Sequence, residues 1–97
     1  MRTVPISAVK RDDRGWLRIY PLHARYDLIY RAAAGVDWEN KEGFLHAHEP
    51  REWTYPQYFA HIVSVVASEC GDALKLTPDT QWMGVPDDIR RQIESVS

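Results

Sequence analysis

Cysteine is almost missing from this 97-residue chain, which holds only Cys70. A lone thiol cannot close an intrachain disulfide, so the fold has no covalent staple and nothing calls for an oxidising compartment. Glycine is scarce as well. The five glycines are scattered, which excludes the glycine-rich phosphate loops of Walker or dinucleotide-binding type. No stretch approaches the roughly 18 apolar residues of a membrane span. The opening Met1-Arg2-Thr3-Val4-Pro5 has no apolar run of signal-peptide length. The expectation is a cytoplasmic protein with no membrane partner. A basic excess is lacking too: the net charge is −2, so nucleic acid is an unexpected partner.

What is present is ordinary globular material. Apolar residues make up 44% and charged residues 27%, enough for one packed core and too regular for disorder. The length fits a single domain over residues 1–97. Charge is spread unevenly. The first 35 residues carry seven Lys/Arg and three Asp, the remainder five Lys/Arg and eleven Asp/Glu. Such complementary halves can meet within the fold or between copies.

The first half reads as strands. Val4, Ile6 and Ala8 alternate with polar neighbours, and Trp16 to Tyr20 alternates again after the polar turn Lys10–Gly15. Residues 2–21 therefore read as a hairpin, with Pro5 marking an edge strand. Tyr26–Ala34 reads as a third strand, Gly35–Gly43 as a loop and Phe44–His48 as a short fourth strand. The clearest element is a helix from Tyr55 to Glu69. Thr54 and Gln57 have capping-box spacing, Trp53 and Tyr58 that of a hydrophobic staple, and Gly71 is placed as a terminator. Its polar positions, Gln57, His61, Ser64 and Ser68, form one narrow stripe, so the helix is more apolar than one sheet face requires. A connector, a short strand near Thr80–Val85 and a helix from Pro86 complete the chain. The predicted class is α+β, in the order β-β-β-β-α-β-α. It has a mostly antiparallel sheet of four or five strands, one long helix on a face and a short C-terminal helix.

Three groups of residues invite function. His46 and His48 lie two apart on a strand, so both imidazoles face one side and suit a divalent transition metal, with His61, His23, Glu49 or Glu52 as further ligands. The same histidines are the candidates for a general base. No nucleophile supports them. Ser64 and Ser68 sit inside a helix, and Cys70 lies at the wrong end of a helix dipole for a lowered pKa and reads as a small buried side chain.

Aromatics are the stronger feature, at 11%. If Leu17, Ile19, Leu45 and Ala47 point inward, then Trp16, Arg18, Tyr20, Phe44, His46 and His48 share an outer sheet face. These residue types are enriched in interfaces. Trp53 and Tyr58 belong to a second aromatic group at the helix entrance, suited to a contact or a small ligand. The third group is an acidic loop of Asp37, Glu39 and Glu42, of the kind a partner-neutralising protein would use.

The compact unit and its closing Trp82-Met83-Gly84-Val85-Pro86 before a short helix resemble the reading frames of mobile gene cassettes, the integron cassette proteins. The resemblance implies no particular chemistry and carries over no functional residue. The expected function is a small binding or interaction module working as a homodimer or higher homo-oligomer, with a protein or small molecule as the other candidate partner. The rival is a small metal-dependent enzyme or ligand binder built on the His-x-His strand.

Overall fold

The first strand organises the molecule. In a computed structural model, which describes residues 1–32, 35–47 and 53–97, β1 runs over Arg2–Arg11 and β2 over Leu17–Pro21. They form the expected antiparallel hairpin. Three further strands follow before the end of the sheet's second half: β3, Val36–Glu39, β4, Phe44–Ala47, and β5, Asp72–Lys75. The last strand, β6, is Gln81–Met83. The sheet runs β3-β4-β2-β1-β5, with β6 also paired to β1. β2, β3 and β4 pair antiparallel, whereas β5 and β6 run parallel to β1.

Pro5 does not mark an edge, because β1 is central. Backbone N–H and C=O of one strand residue point to the same edge. The Pro5 carbonyl accepts from the Leu22 N–H at 2.9 Å, so the proline nitrogen lies on that same edge, beside the chain just past β2, and its missing N–H takes nothing from the pairing with β5 on the other edge. On the opposite edge β5 pairs with Arg2–Pro5 and β6 with Ala8–Lys10. The gap between them falls at Ile6 and Ser7. The Thr80 hydroxyl fills it, donating to the buried Ile6 carbonyl at 2.6 Å.

The alternation Val4-Ile6-Ala8 holds only through Ile6. The β1–β2 register slips between Ile6 and Ala8, and Ser7 is the extra residue, its hydroxyl donating to the Tyr20 carbonyl at 2.9 Å. A bulge shifts the side-chain phase by one. Val9, not Ala8, therefore joins Val4 and Ile6 in the main core.

Two other expectations change. Tyr26–Ala34 contains no strand among its described residues. Tyr26 and Ile29 are both buried, three apart, while Leu28 and Tyr30 are 57% and 54% exposed. That spacing suits the 3-10 turn observed at Ile29–Arg31. The loop assigned to Gly35–Gly43 holds β3 instead. Val36 and Trp38 turn inward beside Ala47 and Leu45, and only 40–43 turn back.

The helix α1 spans Tyr55–Cys70 with the full capping box. The Gln57 N–H donates to the Thr54 hydroxyl at 3.4 Å, and the Thr54 N–H to the Gln57 side chain at 2.8 Å. Gly71 closes the helix in the left-handed region at φ 70°. Phe59, Ile62 and Val66 are at most 1% exposed and pack on the face bearing Val9, Ile19, Leu45 and Ala47. Each contributes roughly 1.5–3 kcal/mol by burial. The helix α2, Asp87–Val96, lies beside α1 in the same chain and inserts Ile93 into that core. It covers part of the surplus apolar surface of α1. Both helices therefore stand on one side of the sheet.

Gly84 links β6 to α2 with φ +66°, and a Cβ there would lie 2.5 Å from the Arg11 carbonyl oxygen. Gly84→Ala is expected to destabilise the fold by about 2 kcal/mol or more, from left-handed strain plus the backbone clash. Urea unfolding checks it; an unchanged midpoint would mean that the Arg11 backbone yields at the β6–α2 junction without cost. Thr80→Val should cost about 1–3 kcal/mol, because it strands the buried Ile6 carbonyl. The same unfolding curve reads that loss.

Candidate interaction face

The side of the sheet away from the helices carries a second cluster. Strand alternation sends Arg18 and Tyr20 of β2, and Phe44 and His46 of β4, to the face opposite Leu17, Ile19, Leu45 and Ala47. Trp16 joins them from the turn before β2. Its ring stacks on His46 at 5.5 Å with 20° between planes. Tyr20 lies 5.0 Å from Phe44, and His46 meets Phe44 edge-on at 5.5 Å. The Arg18 guanidinium sits 4.5 Å over the Phe44 ring, a cation–π contact. Phe44 is thereby only 3% exposed, yet it lies outside the main core. What the face presents are its half-buried covers, Trp16, Arg18, Tyr20 and His46.

Asp12 fixes this cluster at the hairpin tip. Its carboxylate accepts from the backbone N–H groups of Trp16 at 2.9 Å and Arg14 at 3.0 Å, and from Arg18 Nε at 3.2 Å. Burial alone would raise this carboxyl, but those two N–H groups and the Arg18 charge outweigh it and hold it below the usual range. The turn expected between the strands is thus also the anchor of Trp16 and Arg18. Flanking positions on the same face carry charge. Asp37 pairs with His46, and Lys10 with Arg18, in the sheet register.

The other expected residues lie elsewhere. Trp53 and Tyr58 form the staple at 5.2 Å, and His61 meets Trp53 edge-on at 4.9 Å. They belong to the helix layer, so the sheet separates His61 from His46. His48, Glu49 and Glu52 lie outside the described residues. Among the described residues no group of three or more His, Cys, Asp or Glu side chains is arranged to hold a metal. Of the acidic loop, Glu39 caps its own turn, accepting from the Glu42 and Lys41 N–H groups at 2.7 and 3.1 Å. Cys70 is exposed rather than buried. Desolvation and the nearby Asp72 and Glu69 carboxylates push its thiol up.

One polar cluster had no sequence signal. The Arg2 guanidinium donates to both Asp72 oxygens at 3.2 and 2.8 Å, and the Tyr26 hydroxyl donates to Asp72 at 3.0 Å. Arg2 and Asp72, 70 positions apart, are brought together by the pairing of β1 with β5, and Tyr26 reaches them from the segment after β2. The Arg2 hydrogen bonds hold the Asp72 carboxyl below the usual range, against the opposing pull of burial. Burial, and then the Asp72 carboxylate, push the Tyr26 hydroxyl well up. An open depression of about 720 Å³ beside it is lined by Arg25, Ile29, Arg31 and Cys70 among others. None of the sequence candidates except Cys70 borders it.

The arrangement defines a class: a small α+β domain whose mixed sheet carries helices on one face and an aromatic–cationic cluster on the other. Residues 4–80 match the family described as Integron Cassette Protein Hfx_Cass5. A solved structure from the mobile metagenome of North West Arm Sewage Outfall, the integron cassette protein Hfx_Cass5, is 33% identical, with a TM-score of 0.50, over 99% of this chain and 96% of that one. The chain belongs to the Hfx_Cass5 family of integron cassette proteins. No curated protein matches it. No helix among the described residues is long and apolar enough to cross a membrane.

Asp12 and Asp72 have lowered folded-state pKa values, so the stability they supply is complete above the ordinary carboxylate range, near pH 4. It is lost as pH falls through the lower folded values. Asp72→Asn should weaken the fold at neutral pH and flatten this acid limb. Urea midpoints between about pH 7 and pH 2 check both effects; an acid limb unchanged in the variant would remove Asp72 from the account.

Proposed function

We propose that the protein is a small binding and interaction module that works as a homo-oligomer through the outer face of its sheet. The observation that carries this is the Trp16–Arg18–Tyr20–Phe44–His46 cluster on the side without helices. A chain this short gains little by building a second aromatic cluster outside its core, unless that surface meets something. Trp, Tyr and Arg are also the side chains that dominate binding energy at interfaces. Their order here is already set, by Asp12 at the tip and by Phe44 beneath. Such preorganisation lowers the entropy lost on association. A cytoplasmic setting suits the reading, since the lone exposed thiol and the absence of any need for disulfides fit a reducing compartment.

Native mass spectrometry together with light scattering tests this. The unmodified chain should run as a dimer or higher oligomer. Tyr20→Glu replaces a central aromatic contact of the face with a carboxylate and should weaken association by at least about 30-fold, near 2 kcal/mol, with circular dichroism showing that the variant is folded. A monomer at tens of micromolar, or an oligomer indifferent to Tyr20→Glu, would end the proposal.

A further inference from the structure

We infer that two copies pair outer face to outer face about a two-fold axis parallel to the strands, lying between β4 and β2, so that Lys10 of each meets Asp37 of the other. This rests on the reading that the outer face is the self-association surface, and it specifies the partner, a second copy, and its orientation.

The charge pattern selects the axis. One register row crosses four strands as Asp37, His46, Arg18 and Lys10, on β3, β4, β2 and β1. It begins on an acidic side chain and ends on a basic one. Within the chain Arg18 is held by Asp12. Among the described residues neither Asp37 nor Lys10 forms an ion pair. The row therefore has two uncommitted charges of opposite sign at its ends and rings in its middle.

Rotation by half a turn about an axis along the strands keeps each row at its own height and reverses its order. The partner's Lys10 then lies over Asp37, the partner's Asp37 over Lys10, and the partner's Arg18 over His46. A two-fold axis across the strands does the opposite: it lays β3 on the partner's β3, acid against acid, and β1 on the partner's β1. Like charges so placed oppose association. Sheets stacked face to face keep their strands within about 30° of each other and about 10 Å apart, so the row survives the stacking. The long, flexible stem of Lys10 can absorb the residual twist at the outer strands.

Charge exchange tests it. Lys10→Glu and Asp37→Lys each set like charge against like at both ends of the row, and each alone should weaken the dimer at least about tenfold. Mixed in equal amounts, the two variants oppose Glu with Lys and Asp with Lys. They should form a heterodimer, visible by its mass in a native spectrum and tighter than either homodimer. The double variant Lys10→Glu/Asp37→Lys should dimerise like the original chain. Circular dichroism confirms that each single variant is folded. If the chain dimerises and Tyr20→Glu disrupts it, while the charge variants neither weaken nor rescue, the axis is wrong and the outer-face reading stands. If the unmodified chain is monomeric, both fall together.

Discussion

Everything in this fold hangs on one strand being paired along both edges. β1 contacts β2 on one side and both β5 and β6 on the other, so the two ends of a 97-residue chain meet through its first ten residues. Three local devices let one strand do this. Pro5 is placed so that its missing N–H lies on the edge beside Leu22, just past β2, and not on the edge paired with β5. Ser7 forms a bulge that returns Val9 to the core. Thr80 supplies a hydroxyl where β5 has stopped and β6 has not begun. The buried Ile6 carbonyl would otherwise lose its partner in the middle of the sheet, at a cost comparable to a large core truncation's lower range.

That arrangement decides where the helices go. The crossover from β4 through α1 to β5, and the return through β6 into α2, put both helices on the Leu45–Ala47 side. Among the described residues the other side is covered by its own side chains. Phe44 shows the consequence. It is as buried as a core residue, but Arg18, Tyr20 and His46 bury it rather than a layer of secondary structure. The face consequently presents half-buried Trp16, Arg18, Tyr20 and His46 over a buried Phe44. Asp12 ties its order to the hairpin turn.

The candidate face was legible because it needed only a period of two. Placing Leu17, Ile19, Leu45 and Ala47 inward was enough to place Arg18, Tyr20, Phe44 and His46 outward, whichever strands were neighbours. That Phe44 is covered was not legible, since the covering guanidinium comes from an adjacent strand. The capping box and staple of α1 were legible for the same local reason: every partner lies within five residues. β3 was passed over although Val36-Asp37-Trp38-Glu39 alternates, because the glycines and charges around it read as loop. The Tyr26–Ala34 segment failed in the reverse direction. Alternation by two was present, but the packing used positions three apart.

By itself the sequence determined what contact over a few residues can determine: the hairpin, the capped helix with its glycine stop, the α+β class, and the two-sidedness of the central strands. The tertiary structure alone decided what depends on residues far apart in the chain. It made β1 central by laying β5 and β6 along it, parallel, and it gathered Arg2, Tyr26 and Asp72 into one hydrogen-bonded group. It also put His46 and His61 on opposite sides of the sheet. The physical reason is that a strand's pattern of inward and outward residues states which face it buries, but not which strand lies next to it or in which direction that neighbour runs.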